Sequence, residues 1–230
     1  MATAKISIII PVLNEAASIG DVVKQALTGE NVEIIVSDGG SLDQTVEVVQ
    51  SLGIAVVHSS PGRSQQMNLG AKQATGEILL FLHADTYLPD QFDRIIRQSL
   101  TQPQVIAGAF NLKIAAHLPG IHWVEKMVNW RSRFFQLPYG DQAIFLKTST
   151  FWQIGGFPDL PIMEDFELMQ KLRKKGKIAI ASVAVVTSGR RWQRLGILKT
   201  TLLNQLIIIG YFCKISPDRL AQYYRNQQLK

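Results

Sequence analysis

Three times in the first 85 residues a short apolar run gives way at once to side chains that can do chemistry. Asn14 and Glu15 follow Ile6–Val12; Asp38-Gly39-Gly40-Ser41, with Asp43, follows Val32–Ser37; His83-Ala84-Asp85 follows Ile78–Leu82. Carboxylates so placed can ligate a hard cation, accept hydrogen bonds from a base or a sugar, or take a proton from an attacking hydroxyl. Each cluster alone reads equally well as a turn, since Asp, Asn, Gly and Ser all favour turn geometry. Three in succession argue for a shared ligand, because loops leaving parallel strands converge at one edge of a sheet. No glycine-rich phosphate loop grips that ligand, for neither G-x-G-x-x-G nor G-x-x-x-x-G-K-[ST] occurs. Bare carboxylates repel phosphate, so a phosphorylated ligand here calls for a divalent cation in between. Asp85 is the best candidate to hold it.

Apolar periodicity supplies the elements that must position these groups. Ile6–Val12, Val32–Ser37, Ile54–His58 and Ile78–Leu82 have strand length and strand composition. Between them, Ser18 to about Leu27, Thr45–Leu52 and Arg63–Ala74 carry helical patterns, with Ser18 as a cap. This alternation predicts an α/β fold, a mostly parallel central sheet with helices on both faces. Further on, Ile106–Ile114 and Ala143–Leu146 read as strands, and Trp123, Met127, Trp130 and Phe134 recur at helical spacing between them. Glu164–Lys175 reads as a helix stopped by Gly176, and Ile178–Val186 as a strand. Leu195–Cys213 reads as a helix with an apolar stripe of Leu195, Leu198, Leu202, Leu206 and Ile209. With no repeat or low-complexity linker, the simplest division is one α/β domain over residues 1–194. Residues 195–230 then form a helical extension, packed on that domain or lying at a membrane or dimer surface.

In order and spacing, Ile8-Ile9-Ile10-Pro11-Val12-Leu13-Asn14-Glu15, Asp38-Gly39-Gly40-Ser41-Leu42-Asp43-Gln44-Thr45 and His83-Ala84-Asp85 resemble the family 2 glycosyltransferases of short bacterial type. The resemblance continues through Gly140-Asp141-Gln142, Glu164-Asp165 and Arg190-Arg191-Trp192, to about residue 195. It implies the GT-A fold, a nucleotide-sugar donor, a Mg²⁺ or Mn²⁺ ion and inversion at the anomeric carbon. Carried over by position, Asp38 would accept a hydrogen bond from the uracil of a UDP-sugar, while Pro11, Asn14 and Glu15 line base and ribose. Asp85 would hold the metal on the diphosphate. The family's acidic-x-acidic triplet reads His83-Ala84-Asp85 here, which leaves His83 to meet a phosphate or the metal. Arg63 falls in a stretch that borders the nucleotide in similar enzymes. The resemblance makes Asp165 the base that deprotonates the acceptor, with Glu164 beside it, and puts Asp141 on the acceptor side. Arg190 and Arg191 offer guanidinium forks to the departing diphosphate, and Trp192 a face for a sugar. The acceptor would present a hydroxyl or carboxylate, and carotenoid, lipid and arsenosugar acceptors all remain compatible.

Composition bounds the rest. The chain has 230 residues, 47% hydrophobic and 18% charged, which excludes disordered and fibrous classes. A single cysteine, Cys213, cannot form an internal disulfide, so a reducing, cytoplasmic setting is expected. No export signal is expected at the N-terminus, and no window reaches the ~20 apolar residues of a membrane span. Charge is uneven: residues 1–170 hold 11 Lys and Arg against 17 Asp and Glu, whereas residues 171–230 hold 13 against Asp218 alone. Apolar faces in both helical regions, flanked by basic residues, fit peripheral contact at the inner face of a membrane, or a homodimer. Two alternatives compete. A nucleotidyltransferase of related fold would want a basic glycine-rich signature where Pro11-Val12-Leu13-Asn14-Glu15 stands. A nucleic-acid or anionic-lipid binding module would use the basic tail, but no nucleic-acid-binding motif occurs there, so no nucleic-acid partner is expected.

Overall fold

In a computed structural model, which describes residues 3–229, the expected alternation opens the chain. It runs β1 (Ile6–Val12), α1 (Ala16–Ala26), β2 (Val32–Asp38), α2 (Thr45–Ser51), β3 (Val56–His58), α3 (Arg63–Gln73) and β4 (Ile78–Phe81). There follow β5 (Thr86–Tyr87), α4 (Phe92–Thr101), β6 (Val105–Ala115), α5 (Ile121–Phe135), a 3₁₀ turn (Gly140–Gln142), β7 (Phe145–Lys147) and α6 (Thr148–Gln153). The chain continues through α7 (Glu164–Arg173), β8 (Lys177–Ser188), α8 (Arg190–Leu195), α9 (Ile197–Phe212) and α10 (Pro217–Leu229).

The strands form one sheet in the order β3-β2-β1-β4-β7-β6-β8-β5. β1 pairs in parallel with both β2 and β4, while β7 runs antiparallel between β4 and β6 and β5 runs antiparallel on β8. The chain leaves β1 for β2 and β3, then returns to β4 on the opposite side of β1. That reversal is a topological switch point, and it opens the loops after β1, β2 and β4 at one edge. β1 is apolar at nearly every position because both its faces are covered. Ile6, Ile8, Ile10 and Val12 enter one core cluster and Ile9 the other.

Polar staples hold both ends of these strands. At the amino ends, Glu33 accepts hydrogen bonds from Lys5 Nζ and the Thr75 amide, both at 2.7 Å, from the Gly76 amide at 3.1 Å, and from the Ser7 hydroxyl. At the carboxyl ends, buried Gln66 Nε2 donates to the carbonyls of Val12 at 2.7 Å and Ser37 at 2.8 Å.

The structure corrects several boundaries. The first helix begins at Ala16, so Ser18 sits inside its first turn and its Oγ donates to Glu15 Oε2 at 3.0 Å instead of capping. The long helix expected over Leu195–Cys213 is divided at Gly196, whose φ of 79° and ψ of 161° suit only glycine. The stripe read on it also faces the other way. Thr200, Leu203, Ile207 and Gly210 are buried, while Leu198, Leu202, Leu206 and Ile209 are exposed. Trp123, Met127, Trp130 and Phe134 of α5 likewise face outward. Helices α4 and α10 were not legible as elements, and the basic residues of the tail are spread from α7 to α10. Among the described residues no helix is long and apolar enough to cross a membrane.

The Glu33 staple has a pH signature. Burial opposes its ionisation, but the hydrogen bonds from Lys5, Ser7 and Thr75 outweigh burial and pull the carboxyl down from 4.5 to about 2. Its stabilisation is therefore complete above 4.5 and lost as pH falls toward about 2. Urea unfolding of Glu33→Gln should give a lower midpoint than wild type at neutral pH, with the gap closing below about pH 4.5.

Candidate active site

The loop after β1 and the loop after β2 are bonded into one surface. Asn14 adopts a φ of 55°, which Asn tolerates, and its amide donates to Ser41 Oγ at 2.9 Å while its Oδ1 accepts from the Leu42 amide at 2.8 Å. The Glu15 amide donates to Thr45 Oγ1 at 2.8 Å and the Ala16 amide to Asp43 Oδ2 at 3.1 Å. Pro11 is half-buried just before this loop. Asp38 turns into its own loop, where its carboxylate accepts from the amides of Gly40 at 3.0 Å and Ser41 at 3.1 Å, with His58 Nδ1 3.5 Å away. Burial would raise its pKa, but these bonds hold the carboxyl below the usual range.

A second cluster joins the ends of β1 and β4 to α8. Arg190 Nη2 donates to Glu15 Oε2 at 2.8 Å and to Asp85 Oδ2 at 3.0 Å, so one guanidinium bridges two carboxylates. Here the structure already concentrates negative charge strongly enough to draw a cation from 175 residues away. Among the described residues no three His, Cys, Asp or Glu side chains gather as a closed metal cage. The donor chemistry nonetheless fits Mg²⁺ or Mn²⁺, which take hard oxygens and commonly combine one or two carboxylates with phosphate oxygens and water. Asp85 is the residue that would hold such an ion, with Glu15 adjacent.

A third group lines a small cavity formed by Arg63, Met67, Phe81, His83, Gly140, Ile144, Phe157, Glu164 and Asp165. Asp165 opens α7, and its carboxylate accepts from the Gly140 amide and from the Phe166 amide, both at 2.7 Å. Gly140 is closely approached: a Cβ there would lie 3.1 Å from His83 Nε2 and 3.3 Å from Asp165 Oδ2. Burial pushes the Glu164 carboxyl above its usual range, and the neighbouring Asp165 charge pushes the same way, against Arg63 Nη1 at 3.9 Å. His83 Nε2 is buried without a hydrogen-bond partner, and burial with Arg63 nearby brings its pKa down to about 3, so the ring is neutral. Asp141, next in the same turn, is pushed up to about 6 by burial, with Arg131 opposing, and its Oδ1 also lacks a partner.

Thus Arg63, His83, Glu164 and Asp165 come together, and Glu15, Asp85 and Arg190 come together. Asp38 takes amides of its own loop, Asp85 takes Arg190 of α8, and Asp165 takes the Gly140 amide of the 3₁₀ turn, so the three carboxylates have three different sets of partners. Two further expectations point elsewhere. Arg191 turns toward the C-terminal helices, where Nη2 donates to Asn204 Oδ1 at 2.8 Å, Nη1 donates to the Tyr224 hydroxyl, and the guanidinium lies 4.5 Å over that ring. Trp192 is half-buried and packs against the main core cluster, so it braces the loop. The sequence reading missed Arg131, stacked 3.6 Å over Tyr139 beside Asp141, and the Gln66 staple. Neither carries a motif signal, and the partners of Gln66 lie far along the chain.

The profile of the family described as Glycosyl transferase family 2 matches residues 7–156, which include the first three strand-end clusters and Gly140-Asp141-Gln142. An uncharacterized glycosyltransferase of Rickettsia typhi is 35% identical over 97 residues, 40% of this chain. That stretch spans only 30% of the relative's own length. A mannosyltransferase from Pyrobaculum calidifontis, solved with GDP-Man and Mn²⁺, superposes with a TM-score of 0.72 at 18% identity, covering 99% of this chain and 70% of that one. TarS of S. aureus, residues 1–349, solved with UDP-GlcNAc, gives a TM-score of 0.65 at 19% identity over 80% of this chain and 58% of that one. These likenesses establish a GT-A fold, and the profile match over most of the chain makes it a member of glycosyl transferase family 2.

Proposed function

We propose that the chain is an inverting, metal-dependent transferase that moves a sugar from a UDP-sugar to an acceptor hydroxyl or carboxylate, in the cytoplasm. The observation that carries this reading is the adjacency of two dissimilar sites. His83 lines the Asp165 cavity, and two residues later Asp85 meets Glu15 and Arg190. The short loop after β4 therefore links the cavity that holds the base to the diphosphate-binding end. The nucleotide and Mn²⁺ bound by the structural neighbours support the donor and metal classes.

In this mechanism the loops after β1 and β2 receive the nucleotide, with Pro11, Asn14 and Glu15 along one wall. Asp38 acts by fixing the Gly40–Ser41 turn and presenting its remaining acceptor capacity to the base. Asp85 would hold Mg²⁺ or Mn²⁺, which supplies positive charge to the departing diphosphate. Arg190 adds a fork for phosphate oxygens once it is released from one of its two carboxylates. Asp165, oriented by two backbone amides at the start of α7, accepts the proton of the attacking acceptor. Burial and the neighbouring Asp165 push Glu164, beside the base, toward its protonated form. Neutral His83, with Asp141 close by, lines the approach of the acceptor. A carotenoid, another lipid-like molecule or an arsenosugar precursor would satisfy the same chemistry.

Asp165→Asn should bind UDP as wild type does in calorimetry yet lose transfer by about 10²–10⁴-fold. Normal transfer would remove the base assignment. Asp85→Ala should abolish the Mn²⁺ dependence of UDP-sugar hydrolysis, and unchanged metal-dependent turnover would remove the metal role. Glu164 also makes a stability prediction with a definite sign. Its folded pKa lies above 4.5, so its protonated form stabilises the fold at low pH and that contribution is lost as pH rises. Wild type should therefore lose stability relative to Glu164→Gln as pH rises from about 4.5 to 8, read as urea midpoints.

A further inference from the structure

We propose that the chain docks peripherally on an anionic bilayer through the outward faces of α5 and α9. Both helices carry their largest apolar side chains on the side away from the core. On α5 these are Trp123, Met127, Trp130 and Phe134, each 60–69% exposed. On α9 they are Leu198, Leu202, Leu206, Ile209 and Phe212, each 52–80% exposed. At 3.6 residues per turn each set forms one continuous stripe, so burial elsewhere in the chain has not claimed it. The helices begin side by side, since a Cβ at Gly120 would lie 3.9 Å from Ile197 Cδ1. Exposed faces of this size mark an interaction surface on a monomer.

Charge selects the occupant. Lys126 and Arg133 flank the α5 stripe, Lys199 flanks the α9 stripe, and Lys214 follows it, all exposed. Lys199 and Lys214 belong to residues 171–230, which hold 13 Lys and Arg against one Asp. A second copy would bring this charge against itself, whereas anionic headgroups complement it. Tryptophan at the edge of an apolar stripe suits the headgroup boundary, where an apolar ring and a polar N–H are both satisfied. Neither helix is long and apolar enough to span, so the geometry is that of helices lying in the interface.

The docking surface is tied to the cavity. Tyr211 of α9 donates to Glu167 Oε1 of α7 at 2.7 Å, and Phe212 packs edge-on against Phe166 at 5.7 Å, next to Asp165. Arg191 of α8 reaches Asn204 of α9 at 2.8 Å.

Sedimentation of the full chain with vesicles tests this without any nucleotide, so it stands or falls separately from sugar transfer. The protein should pellet with phosphatidylcholine vesicles containing phosphatidylglycerol, stay in the supernatant with phosphatidylcholine alone, and be partly released by salt. Trp130→Ser with Phe134→Ser, and separately Leu202→Gln with Leu206→Gln, should each weaken binding by about tenfold or more. Lys126→Glu with Lys199→Glu alters only exposed cations and should weaken binding by a similar factor without moving the melting temperature. Failure to pellet with the anionic vesicles overturns the proposal, including the case in which the protein is a dimer dissolved by the α9 pair. Binding that none of the three pairs weakens overturns it as well.

Discussion

The pairing register of Ile6–Val12 against its two neighbours governs where every candidate catalytic group emerges. Val12 stands opposite Asp38, and the Leu82 amide donates to the Ile9 carbonyl at 3.0 Å. A slip of one residue would exchange the faces of a strand whose Ile9 and whose Ile8 and Ile10 enter different core clusters. Burial therefore permits one register only. That register sets Asn14-Glu15, Asp38 and His83-Asp85 at adjacent strand ends, roughly 5 Å apart per strand. Glu33 locks the same strands from their amino ends and Gln66 from their carboxyl ends.

Electrostatics then divides the labour between the halves of the chain. The first 170 residues carry excess acid and concentrate it at the strand ends; the last 60 carry the compensating cations. Arg190 closes this circuit by meeting Glu15 and Asp85 together. Desolvation separates the roles further. Buried Glu164 is driven toward its protonated form and buried His83 toward its neutral form, while Asp165 receives two backbone amides. The family 2 match covers the strand-end clusters and ends before Glu164 and Asp165.

Much of the fold was legible because strands at a switch point are apolar on both faces and stop abruptly at polar residues. Each of the first five elements lies within two residues of its expected limits, since β-branched runs and turn residues announce them locally. Helices α4 and α10 were missed; α4 does carry its anchors Phe92, Ile96 and Leu100 at helical spacing, whereas α10 is anchored by Leu220 and Ala221. Glu164-Asp165 was readable as a helix start, and the structure adds that Gly140 supplies the amide fixing the carboxylate. Arg191 and Trp192, neighbours in sequence, diverge on a six-residue helix, one facing α9 and α10, the other the core.

Local sequence by itself determined which segments become strands and helices, and that carboxylates would stand at strand ends, because backbone preference and apolar period act over a few residues. Tertiary structure alone decided which carboxylates share a space and which side of α9 meets water. Periodicity defines a stripe without naming what lies against it, and a helix with apolar side chains around most of its girth offers two faces to choose from. Glu15 and Arg190 are 175 residues apart, so only the completed sheet, by bringing the end of β8 beside the ends of β1 and β4, could make them partners.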